Sequence, residues 1–172
     1  MRAVCQVCMH QCSLEEGQRG LCGARENVCG AVVCANYGQV TSLALDPVEK
    51  KPLRMFRLGK LILSVGSYGC NLRCPFCQNH EISMERDVET LFVPPENLAG
   101  KARECERVGS TGVAFTYNEP LVGWEYVRDT ARLVKEYGME NVLVTNGTAS
   151  IEVLEELLPF MDAMNIDLKG FT

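Results

Sequence analysis

Three cysteines in one short run have the most chemically informative spacing in this chain. Cys70, Cys74 and Cys77 form a C-x₃-C-x₂-C triplet that follows the apolar segment 61–65. Cysteine thiolates are the usual ligands of iron–sulfur clusters, and three of them can hold three irons of a [4Fe–4S] cluster. The fourth iron would then be free to bind a small molecule.

Other interpretations of the triplet remain open on spacing alone. A zinc ion would require a fourth ligand, and His80 is the nearest candidate. A cluster that only transfers electrons would require a fourth cysteine, and the three thiols could also be purely structural. The strand predicted before the triplet favours the cluster with an open iron, and His80 is expected in a solvent-facing loop.

A second group of cysteines lies near the N-terminus, with the spacing C-x₂-C-x₃-C-x₉-C. Its members are Cys5, Cys8, Cys12 and Cys22. Four thiolates are enough for a closed site that holds zinc or an auxiliary iron–sulfur cluster, although the thiols could also be unligated or regulatory. His10 could replace one of the cysteines.

Composition limits the class of protein. The 172 residues are 47% hydrophobic and 23% charged, which fits one ordinary domain with a small appendage. The formal net charge of −5 argues against nucleic acid as the main partner, and no apolar run has the roughly 20 residues that span a membrane. The N-terminus lacks a signal-peptide pattern, so we expect a cytoplasmic protein whose ten cysteines are reduced. Three cysteines outside the two groups are expected to pack as small apolar residues: Cys29, Cys34 and Cys105.

Two regions differ in pattern. Residues 1–58 are rich in cysteine and glycine and form a predicted N-terminal module with little core of its own. Residues 59–172 alternate apolar strands with amphipathic helices, which indicates an α/β fold with a parallel sheet. Strands are predicted at 61–66, 112–117, 141–145 and 163–168, and helices at 95–108, 121–137 and 150–158.

Polar sequence follows each predicted strand. Because ligands bind beyond the carboxyl ends of parallel strands, the segments after the strands should converge on one crevice. The triplet would meet a carboxylate from Glu119, an amide from Asn146 and an amine from Lys169 there.

Residues 70–79 resemble the signature of the radical S-adenosylmethionine (SAM) enzymes, and in particular those related to the pyruvate formate-lyase-activating enzyme. Three further segments narrow the resemblance to one subgroup of these enzymes: the cysteine run 5–22, the linker 46–53 and the turn 116–120. Together they resemble the AmmeMemoRadiSam system radical SAM enzyme over essentially the whole chain.

The resemblance implies a partial (β/α) barrel of which this chain holds the first four βα units. It also implies that Cys70, Cys74 and Cys77 ligate the cluster, and that SAM chelates the open iron. The residues implied to line the SAM site are Phe76, Asn118, Glu119, Thr145, Asn146, Asp167 and Lys169.

The implied activity is reductive cleavage of SAM to a 5′-deoxyadenosyl radical, which takes a hydrogen atom from a substrate. A reductant such as flavodoxin or ferredoxin would be one partner, and Memo-like or AMMECR-like proteins would be others. Because such enzymes continue beyond the fourth strand, we expect either a truncated chain or a partner that completes the barrel. The alternative function is a cluster-holding metal-binding or electron-transfer module without SAM cleavage.

Overall fold

Short hairpins form the N-terminal region. The computed structural model describes residues 1–53, 55–85 and 87–170. Strand β1 (Ala3–Val4) pairs with β2 (Ser13–Leu14), and β3 (Arg25–Val28) pairs with β4 (Ala31–Cys34), both antiparallel. Val7 and Leu14 are the large apolar side chains that residues 1–38 bury, so this region has little core of its own.

Longer strands and helices form the rest of the chain. The strands are β5 (Gln39–Pro47), β6 (Leu61–Ser67), β7 (Leu91–Phe92), β8 (Ser110–Phe115), β9 (Glu140–Thr145) and β10 (Ala163–Ile166). The helices are α1 (His80–Ser83), α2 (Pro95–Cys105), α3 (Trp124–Glu136) and α4 (Ile151–Leu157). The predicted βα alternation after residue 60 is therefore confirmed, with ends that shift by a few residues. Helix α3 ends just before Gly138, which adopts the left-handed conformation typical of a helix C-terminus.

One six-stranded sheet organises the molecule, with the strand order β10-β9-β8-β6-β5-β7. Strands β6, β8, β9 and β10 are parallel, whereas β5 runs antiparallel to β6 and β7 antiparallel to β5. The sheet is thus mostly parallel, as predicted, but the pairing of β5 with β6 was not foreseen. The sheet therefore continues across residue 58, where the sequence places the boundary between module and core.

The central strands bury side chains on both faces, which is typical of parallel sheets. Leu63, Val113 and Leu143 belong to the apolar cluster that also contains residues of α2, α3 and α4. The adjacent positions Ala114 and Val142 belong to a smaller cluster on the opposite face. The central strands are therefore packed on both faces. None of the helices within the described ranges is long and apolar enough to cross a membrane.

A buried ion pair attaches the N-terminal region to the core. The Arg25 guanidinium donates a hydrogen bond of 2.6 Å to the Glu125 carboxylate of α3, and a longer one of 3.4 Å to the carbonyl of Val122. The Arg25 side chain is 5% exposed, so its charge depends on Glu125 for compensation.

Replacing Glu125 by glutamine should therefore weaken the fold. We expect Glu125→Gln to lower the free energy of unfolding by on the order of 2 kcal/mol, because a nearly buried guanidinium loses its counter-charge. Urea denaturation monitored by circular dichroism measures the change. The control is Glu156→Gln, which removes an exposed carboxylate 3.6 Å from Arg128 and should cost less than about 1 kcal/mol. Equal losses in the two variants would contradict the role of the buried pair.

Candidate functional site

The carboxyl ends of the parallel strands open into one cavity of about 440 Å³, a size typical of small-molecule sites. The three thiols of the triplet line it, and so do all seven residues that the resemblance assigns to SAM. These ten residues are Cys70, Cys74, Cys77, Phe76, Asn118, Glu119, Thr145, Asn146, Asp167 and Lys169. The structure therefore brings all ten together, while their roles toward a cofactor stay predictions.

The triplet lies in the loop that follows β6. Cys70, Cys74 and Cys77 are free and partly buried. Burial is the main cause that raises the pKa of the Cys70 thiol, and the nearby Glu119 carboxylate raises it further. His80, the candidate fourth ligand for zinc, is exposed at the start of α1 and does not line the cavity.

The donors at this cavity fit a cluster better than a single ion. Neither a fourth cysteine nor a histidine is found among the described residues that line it. In the described ranges, no three His, Cys, Asp or Glu side chains are grouped to hold one metal ion. A [4Fe–4S] cluster does not require its ligands to meet at one ion, because each thiolate binds a separate iron.

Two features shape the loop that carries Cys70. Gly69 has a φ of +101°, and a Cβ at this position would lie 2.6 Å from the Cβ of Ala24. The Asn118 amide donates to the carbonyl oxygen of Gly69 at 3.0 Å and accepts from the Ser67 N–H at 3.2 Å. The side chain of Asn118 thus positions the loop, and its polar atoms are largely occupied by this task.

Glu119 connects the ends of two strands. Its side chain is 3% exposed, and Oε1 accepts hydrogen bonds from the Leu121 N–H at 3.1 Å and the Thr145 hydroxyl at 2.7 Å. Oε2 accepts one from the Asn146 N–H at 2.7 Å. Burial raises the pKa of Glu119, and these hydrogen bonds act against the rise. Glu119 therefore places a buried carboxylate at the cavity, and its Oε2 accepts one hydrogen bond where Oε1 accepts two.

An amide that the sequence reasoning missed attaches the loop to the end of β9. Asn71, which is 2% exposed, accepts from the Asn146 amide at 2.8 Å and donates to the Thr148 hydroxyl at 2.7 Å. The Thr148 hydroxyl in turn donates to the Asn146 side-chain oxygen at 2.7 Å, which closes a ring of three side chains. The sequence carries no local signal for these contacts, because Asn146 and Thr148 lie more than seventy positions from Asn71.

A second missed network forms part of the cavity wall. Tyr117 lines the cavity and donates a hydrogen bond of 2.7 Å to Asp46, and Lys51 pairs with the same carboxylate at 2.9 Å. The ammonium of Lys51 also lies 5.1 Å from the centre of the Tyr117 ring. Burial, together with the bond to Asp46, raises the pKa of Tyr117 to about 12. The linker 46–53, which the sequence analysis uses only as a segment of the resemblance, thus supports the site.

The remaining predicted residues lie at the rim. Phe76 is 64% exposed, so its ring is accessible to a ligand in the cavity. Asp167 donates its backbone N–H to the carbonyl of Thr145 at 2.8 Å, and its carboxylate pairs with Lys169. The hydrogen bond that the Lys169 ammonium donates to the Asp167 carboxylate is the main cause that raises the pKa of Lys169.

The four N-terminal cysteines surround a different, smaller cavity, which His10 also lines. The expectation that Cys29 packs as an apolar residue is wrong, because it is exposed in the turn between β3 and β4. Cys34 and Cys105 are partly buried, as expected.

Sequence comparisons relate the chain to known proteins. The sequence is 42% identical over 168 residues to an uncharacterised protein of Methanocaldococcus jannaschii, covering 96% of this chain and 49% of that protein. It is 31% identical over 108 residues to the pyruvate formate-lyase 1-activating enzyme of Escherichia coli, covering 59% of this chain and 42% of the enzyme. It is 31% identical over 97 residues to a cysteine-type anaerobic sulfatase-maturating enzyme of Clostridium perfringens, covering 51% of this chain and 26% of the enzyme.

The chain spans half or less of the length of these curated relatives. The family model that matches it is the Radical SAM superfamily, over residues 64–172. This match includes the triplet, the second half of β6, strands β8, β9 and β10, and more than half of the chain. The protein therefore belongs to the radical SAM superfamily.

Proposed function

We propose that this chain is the cluster-bearing part of a radical SAM enzyme of the activating-enzyme type. The observation that carries the proposal is the convergence of Cys70, Cys74 and Cys77 with strand-end polar groups on one cavity. Three thiolates would hold a [4Fe–4S] cluster with one open iron. When bound, the cluster supplies the electron that breaks a C–S bond of SAM, which yields methionine and a 5′-deoxyadenosyl radical.

Glu119 would supply the electrostatic attraction for SAM. SAM carries an ammonium and a sulfonium, and a buried carboxylate attracts such charges more strongly than an exposed one. The Leu121, Thr145 and Asn146 donors fix the carboxylate, so it does not need to reorganise when the ligand binds.

Rim residues would orient the rest of SAM. The exposed ring of Phe76 offers a stacking face for the adenine, and Lys169 with Asp167 offers polar groups to the ribose or the methionyl carboxylate. The ring of Asn71, Asn146 and Thr148 would keep the cluster loop in place.

The radical would have to be shielded from solvent, and this requires a more complete barrel than the described sheet provides. We infer that the sheet is the first part of a partial barrel, and that the remainder comes from a further segment or a partner. The length of the relatives supports this inference, since the chain covers 49% of the M. jannaschii protein.

The narrower assignments are also proposals. The cysteine run, the linker and the turn 116–120 support the AmmeMemoRadiSam subgroup, with Memo-like or AMMECR-like proteins as partners and flavodoxin or ferredoxin as reductant. The ten free thiols support a reducing, cytoplasmic location.

The test of SAM cleavage starts from protein that is reconstituted anaerobically with iron and sulfide. With dithionite and SAM, we expect the wild type to form 5′-deoxyadenosine, measured by liquid chromatography. Cys74→Ala should lower this product by at least about 100-fold, because an incomplete thiolate set cannot hold the cluster. Cys29→Ser is the control, since Cys29 is exposed and does not line the cavity. A reducible cluster in the wild type without 5′-deoxyadenosine would favour the electron-transfer module instead.

The raised pKa of Glu119 predicts that SAM affinity depends on pH. As pH rises through this pKa the carboxyl ionises, so SAM should bind more tightly on going from acid to neutral pH. Glu119→Gln should weaken binding at neutral pH by about tenfold or more and remove the pH dependence, since a charge-assisted contact contributes about 1.5–3 kcal/mol.

Equilibrium dialysis with reconstituted protein measures this affinity. Glu152→Gln, on the exposed surface of α4, is the control and should keep both affinity and pH profile. An unchanged pH profile in Glu119→Gln would show that another group titrates.

A further inference from the structure

We propose that Cys5, Cys8, Cys12 and Cys22 form a second, closed metal site of the four-thiolate type, which backs the loop that carries Cys70. Zinc and iron share this ligand chemistry, because both take tetrahedral sulfur ligands. The existence of the site does not depend on the function proposed above.

The hairpin of β1 and β2 brings three of the thiols together. Its loop is closed by hydrogen bonds from the Cys5 N–H to the Cys12 carbonyl at 2.9 Å and from the Gln11 N–H to the Cys8 carbonyl at 3.1 Å. Because Cys5, Cys8 and Cys12 all belong to this loop, their side chains can face a common point.

The fourth thiol comes from a neighbouring turn. Cys22 lies in a turn that the Gly23 N–H closes on the Gly20 carbonyl at 2.9 Å. A Cβ added to Gly20 would lie 3.6 Å from the Sγ of Cys12, so the turn is packed against the hairpin loop. All four cysteines line one small cavity.

Two of the four thiols are almost completely shielded from water. Cys5 and Cys22 are 5% and 8% exposed. A metal that binds here would replace the thiol protons, because cysteine ligates metals as the thiolate.

Arg25 provides an independent observation. Its side chain is 5% exposed and lines this cavity, and its Nε has no hydrogen-bond partner among the described residues. Four thiolates around a divalent ion carry a net charge of −2, and a neighbouring guanidinium would offset part of it. The unpartnered N–H of Arg25 is then available to donate to a metal-bound thiolate.

The spacing of the thiols limits how a metal binds. Within the ranges that the structure describes, no three metal-binding side chains are grouped for a single ion. Zinc would therefore require the cysteine side chains to rotate inward, to sulfur distances of about 2.3 Å from the metal. An iron–sulfur cluster would place each thiolate on its own iron. His10 is not needed as a ligand, because its Nε2 donates to the Asn71 carbonyl at 2.8 Å and four thiolates complete the set.

Direct contacts connect this site to the loop of the triplet. A Cβ at Gly69 would lie 3.2 Å from the carbonyl oxygen of Cys22. Arg73 donates to the carbonyl of Leu21 at 2.6 Å, and His10 donates to Asn71. A metal that fixes Cys22 would therefore also fix the backbone next to Cys70. An effect of this metal on a cluster at Cys70 rests on the proposed function, whereas the metal site itself does not.

Metal analysis of a variant that lacks the triplet thiols tests the site. In Cys70→Ala/Cys74→Ala/Cys77→Ala, supplied with zinc or with iron and sulfide, mass spectrometry should find about one zinc or about four irons per chain. Either result supports the site and identifies its metal, and iron bound as a cluster also gives visible absorbance. Adding Cys12→Ser or Cys22→Ser should remove the metal, whereas adding Cys29→Ser should not. The proposal would be overturned if the triple-alanine variant binds no more metal than the same variant with Cys12→Ser added.

Thiol alkylation of the wild-type protein gives a test that needs no variant. Cys8 and Cys12 are only partly buried, so they should react with iodoacetamide in metal-free protein and be protected in protein loaded with metal. Peptide mass spectrometry locates the modified cysteines, and the exposed Cys29 should react in both states. Equal modification of Cys8 and Cys12 with and without metal would contradict the site even if the serine variants fail to fold.

Discussion

The carboxylate of Glu119 is the group on which the arrangement of the strand ends depends. It lies just beyond the end of β8, is nearly inaccessible to water, and accepts hydrogen bonds from Leu121, Thr145 and Asn146. Without these donors a buried charge would be costly. With them, the ends of β8 and β9 are held at a fixed separation, and the cavity between them keeps its shape.

The loop of the triplet depends on the same strand ends. Asn118, which precedes Glu119, holds the loop backbone at Gly69, and Asn146, which Glu119 holds, binds Asn71. A chain of polar contacts therefore runs from the carboxylate to both sides of Cys70. The parallel sheet provides the common edge, and these side chains set the position of the loop on it.

Much of this could be predicted from the sequence, because local patterns determine it. The apolar runs and helix signals gave the four parallel strands, and the rule for parallel strand ends brought Cys70, Glu119 and Lys169 to one cavity. The antiparallel pairing of β5 with β6 could not be predicted in this way, since register depends on a distant partner.

The contacts of Asn71 and the wall formed by Tyr117 and Lys51 escaped prediction for a similar reason. An asparagine beside a cysteine looks the same in the sequence whether it faces water or closes a ring with residues more than seventy positions away. The exposed position of Cys29 was also missed, because a turn residue between two short strands resembles a strand residue in composition.

The close contact between Gly69 and Ala24 has a consequence for attempts to transplant this chemistry. The C-x₃-C-x₂-C loop is not a portable motif here, because its backbone rests on residues 21–25 of another part of the chain. A graft of residues 68–79 onto an unrelated barrel would keep the ligand spacing but lose the surface against which the loop packs. Successful engineering would have to move the loop and its backing as one unit.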